Sequence, residues 1–223
     1  MARKRYRIRV LARHWPAIVV GISLAVSASS CGGKSTRPMP HTLALVQPAD
    51  IAKAGRNSPG GVALQLWRAV QVGDAASAAG FYDPRVLRVI GFVRVGGALS
   101  QQRSLLEVLK PTILSTNRTA LGVEVIVQGK NVVKGTRESG TEVLSFLFRR
   151  NPEGWRVGYD TLLGDALPQY VYSQVQAQVA PGSNAPSPKA QIAAQRISNV
   201  YRGLFSPSLQ QQPTKRKTKT TSH

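Results

Sequence analysis

Two sets of residues in this 223-residue chain could do chemistry. The first is the stretch SASSCGGKST, Ser27 to Thr36, which joins the chain's one thiol to a glycine pair and a Lys-Ser dipeptide. Ala28-Ser-Ser-Cys-Gly-Gly33-Lys34-Ser35 nearly spells a phosphate-binding loop. Such a loop needs a buried strand before it and a helix directly after it, because loop amides and the helix N-terminus together hold the phosphates. Here Thr36-Arg37-Pro38-Met39-Pro40 follows, two prolines that oppose a helix, and Ala28 stands where the first glycine belongs. No acidic residue closing an apolar strand follows at a spacing suited to Mg²⁺. The second set is a scatter of acids and tyrosines, Asp74, Tyr82, Asp83, Glu124, Glu142, Tyr159 and Asp160, from which no motif selects a pair.

What surrounds Cys31 gives the first set a different meaning. Residues 1–16 are strongly basic, Ala17 to Val26 is a short apolar run, and small residues lead from Ser27 to the cysteine. These are the parts of a secretory signal peptide, and the run falls short of the ~20 residues of a spanning helix. Ala28-Ser-Ser-Cys31 resembles the lipobox of bacterial lipoproteins, departing from it at Ala28, where leucine is commonest. The resemblance implies cleavage after residue 30, diacylglycerol on the Cys31 thiol and an anchor at the outer face of the cell membrane. An ordinary secreted protein with a free cysteine is the other reading of the same stretch.

Composition narrows the partners. Lys and Arg number 30 against 10 Asp and Glu, a net +20; six basic residues precede Pro16, so loss of residues 1–30 leaves 24 against 10, or +14. Such a surplus attracts polyanions. Export leaves anionic lipid or an anionic wall polymer as candidates and separates the chain from nucleic acid. A lone cysteine excludes an intrachain disulfide and a thiolate zinc cluster. The histidines, His14, His41 and His223, lie outside the segment 59–167 expected to fold, which excludes His-centred catalysis and most transition-metal sites there. No cofactor, metal ligand or catalytic residue is assigned.

The elements that would position the second set read as follows. Residues 31–58 are rich in Pro, Ser, Gly and Lys and are expected to form a flexible tether, its apolar patch Leu43–Val46 docking on the domain. Ser58-Pro59 starts a helix with Val62, Leu66, Trp67, Ala69 and Val70 on one face. Asp74 caps a second short helix, and Asp83-Pro84 makes a turn. Arg85–Val95 is β-branched and is expected as strand, or a helix end passing into strand. Ser100 is expected to cap a helix to Leu109 that Pro111 stops. Ala120–Gln128 and Thr141–Arg149 read as strands, and Asn151–Gly154 as the turn of a hairpin closed by Trp155–Asp160. Alternation puts Val123, Val125 and Val127 on one face and Glu124 on the other, and puts Glu142 on the side of Leu144 and Phe146. Trp67, Trp155, Tyr159, Phe146 and Phe148 read as core. Asn117-Arg-Thr119 formally fits a glycosylation acceptor. After Pro168 a Gln-, Ala- and Ser-rich composition predicts a poorly ordered tail over 168–223. Within it lie a possible amphipathic helix at 188–204, carrying Ile192, Ile197, Val200, Tyr201 and Leu204, and the charge run Lys215–Lys219.

Read together, LWRAVQVGDAASAAGFYDP and the later EVLSFLFRRNPEGWRVGYDTLL resemble the nuclear transport factor 2-like, or cystatin-like, cone fold. The fold class expected is α+β: N-terminal helices packed in a curved, mainly antiparallel sheet, over residues 59–167. The resemblance implies a cavity between helix and sheet where enzymes of the superfamily place acids or tyrosines. The reading preferred is a lipid-anchored, non-enzymatic envelope protein whose domain binds a protein partner or a small apolar ligand. The alternative is an isomerase, hydratase or cyclase using an acidic residue of the pocket.

Overall fold

The computed structural model describes residues 39–133 and 140–205. The fold is α+β, helices first and then an open four-stranded antiparallel sheet in the order β1-β2-β3-β4.

Helix α3 (Pro59–Gln71) is the central element of the helical half. Ser58 caps it, its Oγ accepting from the Gly61 N–H at 3.0 Å, and Pro59 supplies a preset φ at the first helical position. Val62, Ala63, Leu66, Trp67 and Val70 are buried, as their helical spacing predicts. Removing the large side chains among them from water contributes about 2–3 kcal/mol each. Gly61 comes so close to the Gly55 carbonyl that an added Cβ would overlap that oxygen, whereas a Cβ on Gly80, at the end of α4 (Ala75–Gly80), would meet nothing. Glycine-to-alanine changes in helices normally gain up to ~1 kcal/mol. Gly80→Ala should follow that rule, while Gly61→Ala should cost about 1–3 kcal/mol through backbone displacement. Urea midpoints of the two variants should therefore move in opposite directions.

From residue 40 the segment ahead of α3 is folded, which corrects the expected tether over that part of 31–58. Helices α1 (Pro40–Ala44) and α2 (Pro48–Lys53) precede it, with Ala44, Val46 and Ile51 buried. The Leu43–Val46 patch docks through Gln71, a buried amide. Gln71 Oε1 accepts from the Val46 N–H at 3.0 Å, and Nε2 donates to the carbonyls of Ala44 at 3.1 Å and Leu106 at 3.0 Å. A glutamine that fills its hydrogen-bonding capacity can be buried without a desolvation penalty of several kcal/mol.

Three further expectations are corrected. Arg85–Val95 is not strand but the helices α5 (Pro84–Ile90) and α6 (Phe92–Gln101), joined at Gly91 with φ +97°. Val86 and Ile90, then Val95, Ala98 and Leu99, are buried at helical spacing, so packing overrides the β-branched composition. Ser100 does not cap a helix to Leu109; it lies inside α6 and its hydroxyl donates back to the Gly96 carbonyl at 3.0 Å. Only a single turn, α7 (Arg103–Leu106), follows. Pro111 then sits within β1 (Leu109–Thr119), a strand the sequence reading did not include. β1 is an edge strand, where a missing N–H is tolerated.

β2 (Gly122–Asn131), β3 (Thr141–Asn151) and β4 (Gly154–Asp160) match the three expected strands, and β3 and β4 form the expected hairpin. Val125, Val127, Leu144, Phe146, Phe148 and Val157 form the buried face. Bulges between Ile113 and Ser115 and between Leu147 and Phe148 shift the register, which bends such sheets. The outer edge of β4 is covered by the link from α4 to α5. The Asp83 N–H donates to the Val157 carbonyl at 2.8 Å, and the Val157 N–H to the Phe81 carbonyl at 2.9 Å.

Over 168–205 the expected poorly ordered tail is folded, which is the largest correction. Helix α8 (Thr161–Val179) continues through Pro168, with Leu162, Leu163, Ala166 and Leu167 buried, and α9 (Pro188–Gly203) packs along it. Their connection is held by Gln176, whose Nε2 donates to the Ala185 carbonyl at 2.8 Å and whose Oε1 accepts from the Ser187 N–H at 3.0 Å. On the expected face of α9, Tyr201 is buried and Ile197 and Leu204 are half-buried, while Ile192 and Val200 stay exposed. Among the described residues no helix is long and apolar enough to cross a membrane. Cys31, the apolar run before it and the charge run Lys215–Lys219 lie outside the described residues.

Candidate functional site

Strand β4 ends by inserting Asp160 into the core, with none of its surface exposed. Its extended backbone makes it the N-cap of α8: Oδ1 accepts from the Leu163 N–H at 2.7 Å. Oδ2 accepts from the Tyr201 hydroxyl at 3.0 Å, and that oxygen in turn accepts from the Asp160 N–H at 3.1 Å. Tyr159 stacks on the Tyr201 ring, with centroids 5.1 Å apart. Gly158 lacks the Cβ that would press on the Phe205 ring, so the end of α9 can lie close against the strand. Tyr82 approaches the same carboxylate closely enough to feel its charge, but without hydrogen-bond geometry, and its hydroxyl has no partner among the described residues.

Burial dominates the electrostatics. It raises the Asp160 carboxyl from 3.8 to about 6, against the hydrogen bonds from Leu163 and Tyr201 and the nearby Tyr82 hydroxyl, which favour the charged form. Burial likewise pushes Tyr82 and Tyr201 well up, with the Asp160 charge adding to it. A carboxyl titrating near neutrality beside phenols is chemically suited to general acid-base work. It has no exposed surface and does not line the four clefts described among these residues, however, and the concavity between α3 and the sheet is occupied by Trp67, Phe146 and Phe148. Trp67 lies so close to Gly129 of β2 that a Cβ there would reach 2.9 Å from its ring.

Of the seven acids and tyrosines, the fold brings Tyr82, Tyr159 and Asp160 together. Asp74 caps α4, accepting from the Ser77 N–H at 2.9 Å, and the Ser77 hydroxyl together with that N–H holds its carboxyl below the usual value. Asp83 caps α5, accepting from the Arg85 N–H at 2.8 Å, so the expected turn is a helix start. Glu124 does turn from the valine face and accepts from Ser145 Oγ at 2.8 Å; Glu142 is exposed near the start of β3. Trp67, Phe146 and Phe148 are core, while Trp155 and Tyr159 are half-buried. Asn117 is exposed on β1.

The sequence reading missed Tyr201 as a partner of Asp160, and it missed a group of arginines. Arg85 and Arg88 of α5 and Arg149 and Arg150 of β3 line a cleft of about 410 Å³ beside the β3–β4 turn. The signal for the first was the apolar face of 188–204; for the second it was Arg85 and Arg88 one helical turn apart and the Arg149-Arg150 pair. Among the described residues no three His, Cys, Asp or Glu side chains are grouped as a metal site would require.

Comparison of the chain with models of known protein families, with curated proteins and with solved structures finds no match.

Proposed function

We propose that this chain is a lipid-anchored protein of the bacterial cell envelope, held at the extracytoplasmic face of the membrane through diacylglycerol on Cys31, with a domain that acts by binding. The order of basic stretch, apolar run, small residues and Cys31 carries this reading. The α+β fold is consistent with a cone-like domain, in line with the resemblance to the nuclear transport factor 2-like superfamily. A protein partner in the envelope or an anionic wall polymer fits the binding role better than a small apolar ligand in the cone interior, because Trp67, Phe146 and Phe148 fill that interior.

The second reading, a pocket enzyme, draws on the Asp160 carboxyl and its tyrosines. Its weakness is access, since Asp160, Tyr82 and Tyr201 are all buried.

Intact mass of membrane-extracted protein tests the anchor. The expected species lacks residues 1–30 and carries an acyl mass on Cys31, and Cys31→Ser should release the protein from the membrane fraction. An unmodified full-length chain overturns the proposal.

A further inference from the structure

We infer that the arginine-lined cleft between α5 and the β3–β4 turn is a binding site for a phosphate group. Arginines line it from two elements: Arg85 and Arg88 from α5, Arg149 and Arg150 from β3. Two acids share the lining, and both are engaged. Asp83 accepts from the Arg85 N–H at 2.8 Å, and Glu153 pairs with Arg156 at 3.1 Å. Among the described residues none of the four arginines has a carboxylate partner.

A solvated basic face spreads its charges over the surface. Here four arginines line one concavity of about 410 Å³, within the range of small-ligand sites. Arg149 adds an independent observation. Its guanidinium lies 5.2 Å from the centroid of the Phe205 ring, and its Nη1 is buried with no hydrogen-bond partner among the described residues. Stacking holds the planar group in place and leaves a donor unused. Arginines gathered along one cleft repel one another until an anion with several acceptor oxygens takes their forks, and phosphate offers that geometry. The inference is independent of whether Cys31 is acylated.

The phosphate could come from a lipid headgroup or from a free or polymer-borne phosphate. Directly after Arg88 in the chain, Val89, Phe92 and Val93 are 47%, 46% and 78% exposed, an apolar corner that an acyl chain could meet.

The test uses the full-length protein in detergent, titrated calorimetrically with glycerol 1-phosphate and with dihexanoyl phosphatidic acid. Arg88→Ala, and the Arg85→Ala/Arg88→Ala pair, should weaken both ligands about ten-fold or more. These two side chains are exposed, so unfolding temperatures should match the parent; Arg149→Lys keeps the charge, loses the fork and should also weaken binding. Tighter binding of the acyl-bearing phosphate, lost in Phe92→Ser/Val93→Ser, assigns the lipid source. Equal affinities assign a free or polymeric phosphate, and either result supports the site. Absence of binding, or binding unchanged in the arginine variants and abolished by Lys215→Ala, Arg216→Ala, Lys217→Ala and Lys219→Ala together, overturns it.

Discussion

Removal of residues 188–223 should abolish cooperative folding of the domain. The deleted segment holds Tyr201 and Phe205, both in the core, with Ile197 and Leu204 packed against it. Losing a buried aromatic costs about 3–5 kcal/mol. Asp160 would lose its Tyr201 hydrogen bonds as well, leaving a buried carboxylate short of a donor at about 1–3 kcal/mol. Even after allowance for the ordering entropy no longer spent on α9, the sum rivals the roughly 5–15 kcal/mol that holds an entire domain. Urea unfolding followed by far-ultraviolet circular dichroism and tryptophan fluorescence should show a broad, early transition with a changed slope. An unchanged midpoint would mean that α9 is an accessory tail after all. Tyr201→Phe, which keeps the ring and its stack on Tyr159, should lose about 2 kcal/mol.

Asp160→Asn should remove the pH dependence that Asp160 contributes. Burial raises its carboxyl from 3.8 to about 6, so between these values the folded protein holds a proton that the unfolded chain releases. Stability from this group is therefore greatest below about pH 4 and falls as pH rises to about 6. The deficit above that window is about 3 kcal/mol, the cost of keeping the charge buried. Asparagine carries no charge, its carbonyl can still cap Leu163, and its amide can donate to Tyr201. The difference in unfolding free energy, variant minus parent, should thus climb by about 2 kcal/mol between pH 4 and pH 7. Taking the difference cancels the other carboxylates, including Asp74, whose lowered value gives the opposite slope. A flat or falling difference would show that the carboxylate is not desolvated as the fold requires. Tyr201→Phe should move the wild-type window to higher pH, since it deletes a hydrogen bond that favours the charged form.

Local signals that agreed with packing were legible in the sequence. Ser58-Pro59 and Asp74 mark helix starts because a side-chain oxygen or a preset φ acts within one turn. The hairpin from Thr141 to Asp160 is readable because a turn separates two alternating runs. Where two local tendencies competed, the reading failed. Arg85–Val95 is rich in β-branched residues, yet Val86, Ile90, Val95 and Leu99 find a core at helical spacing. Pro111 looks like a helix stop and is an edge-strand residue, because only the neighbouring strands reveal which N–H groups are needed. Composition misled at both ends. Residues 40–53 and 161–203 are rich in small and polar side chains, but Ala44, Ala166 and Ala190 are buried at close helix contacts that need no large apolar group.

The candidate site divides the same way. Tyr82, Tyr159 and Asp160 stand out by type, but Tyr201 lies 41 positions beyond Asp160, and no spacing rule joins them. The arginine cleft assembles α5 with the end of β3, two segments that meet only because the α4–α5 link pairs with the edge of β4. By itself the sequence determined the features that act over a few residues or through composition: the order of segments around Cys31, the basic surplus, the helix caps, the hairpins and hence the α+β class. Only the tertiary structure decided that Asp160 is sealed within the core and that four arginines line one cleft, because burial and the meeting of charges depend on which distant segments pack together.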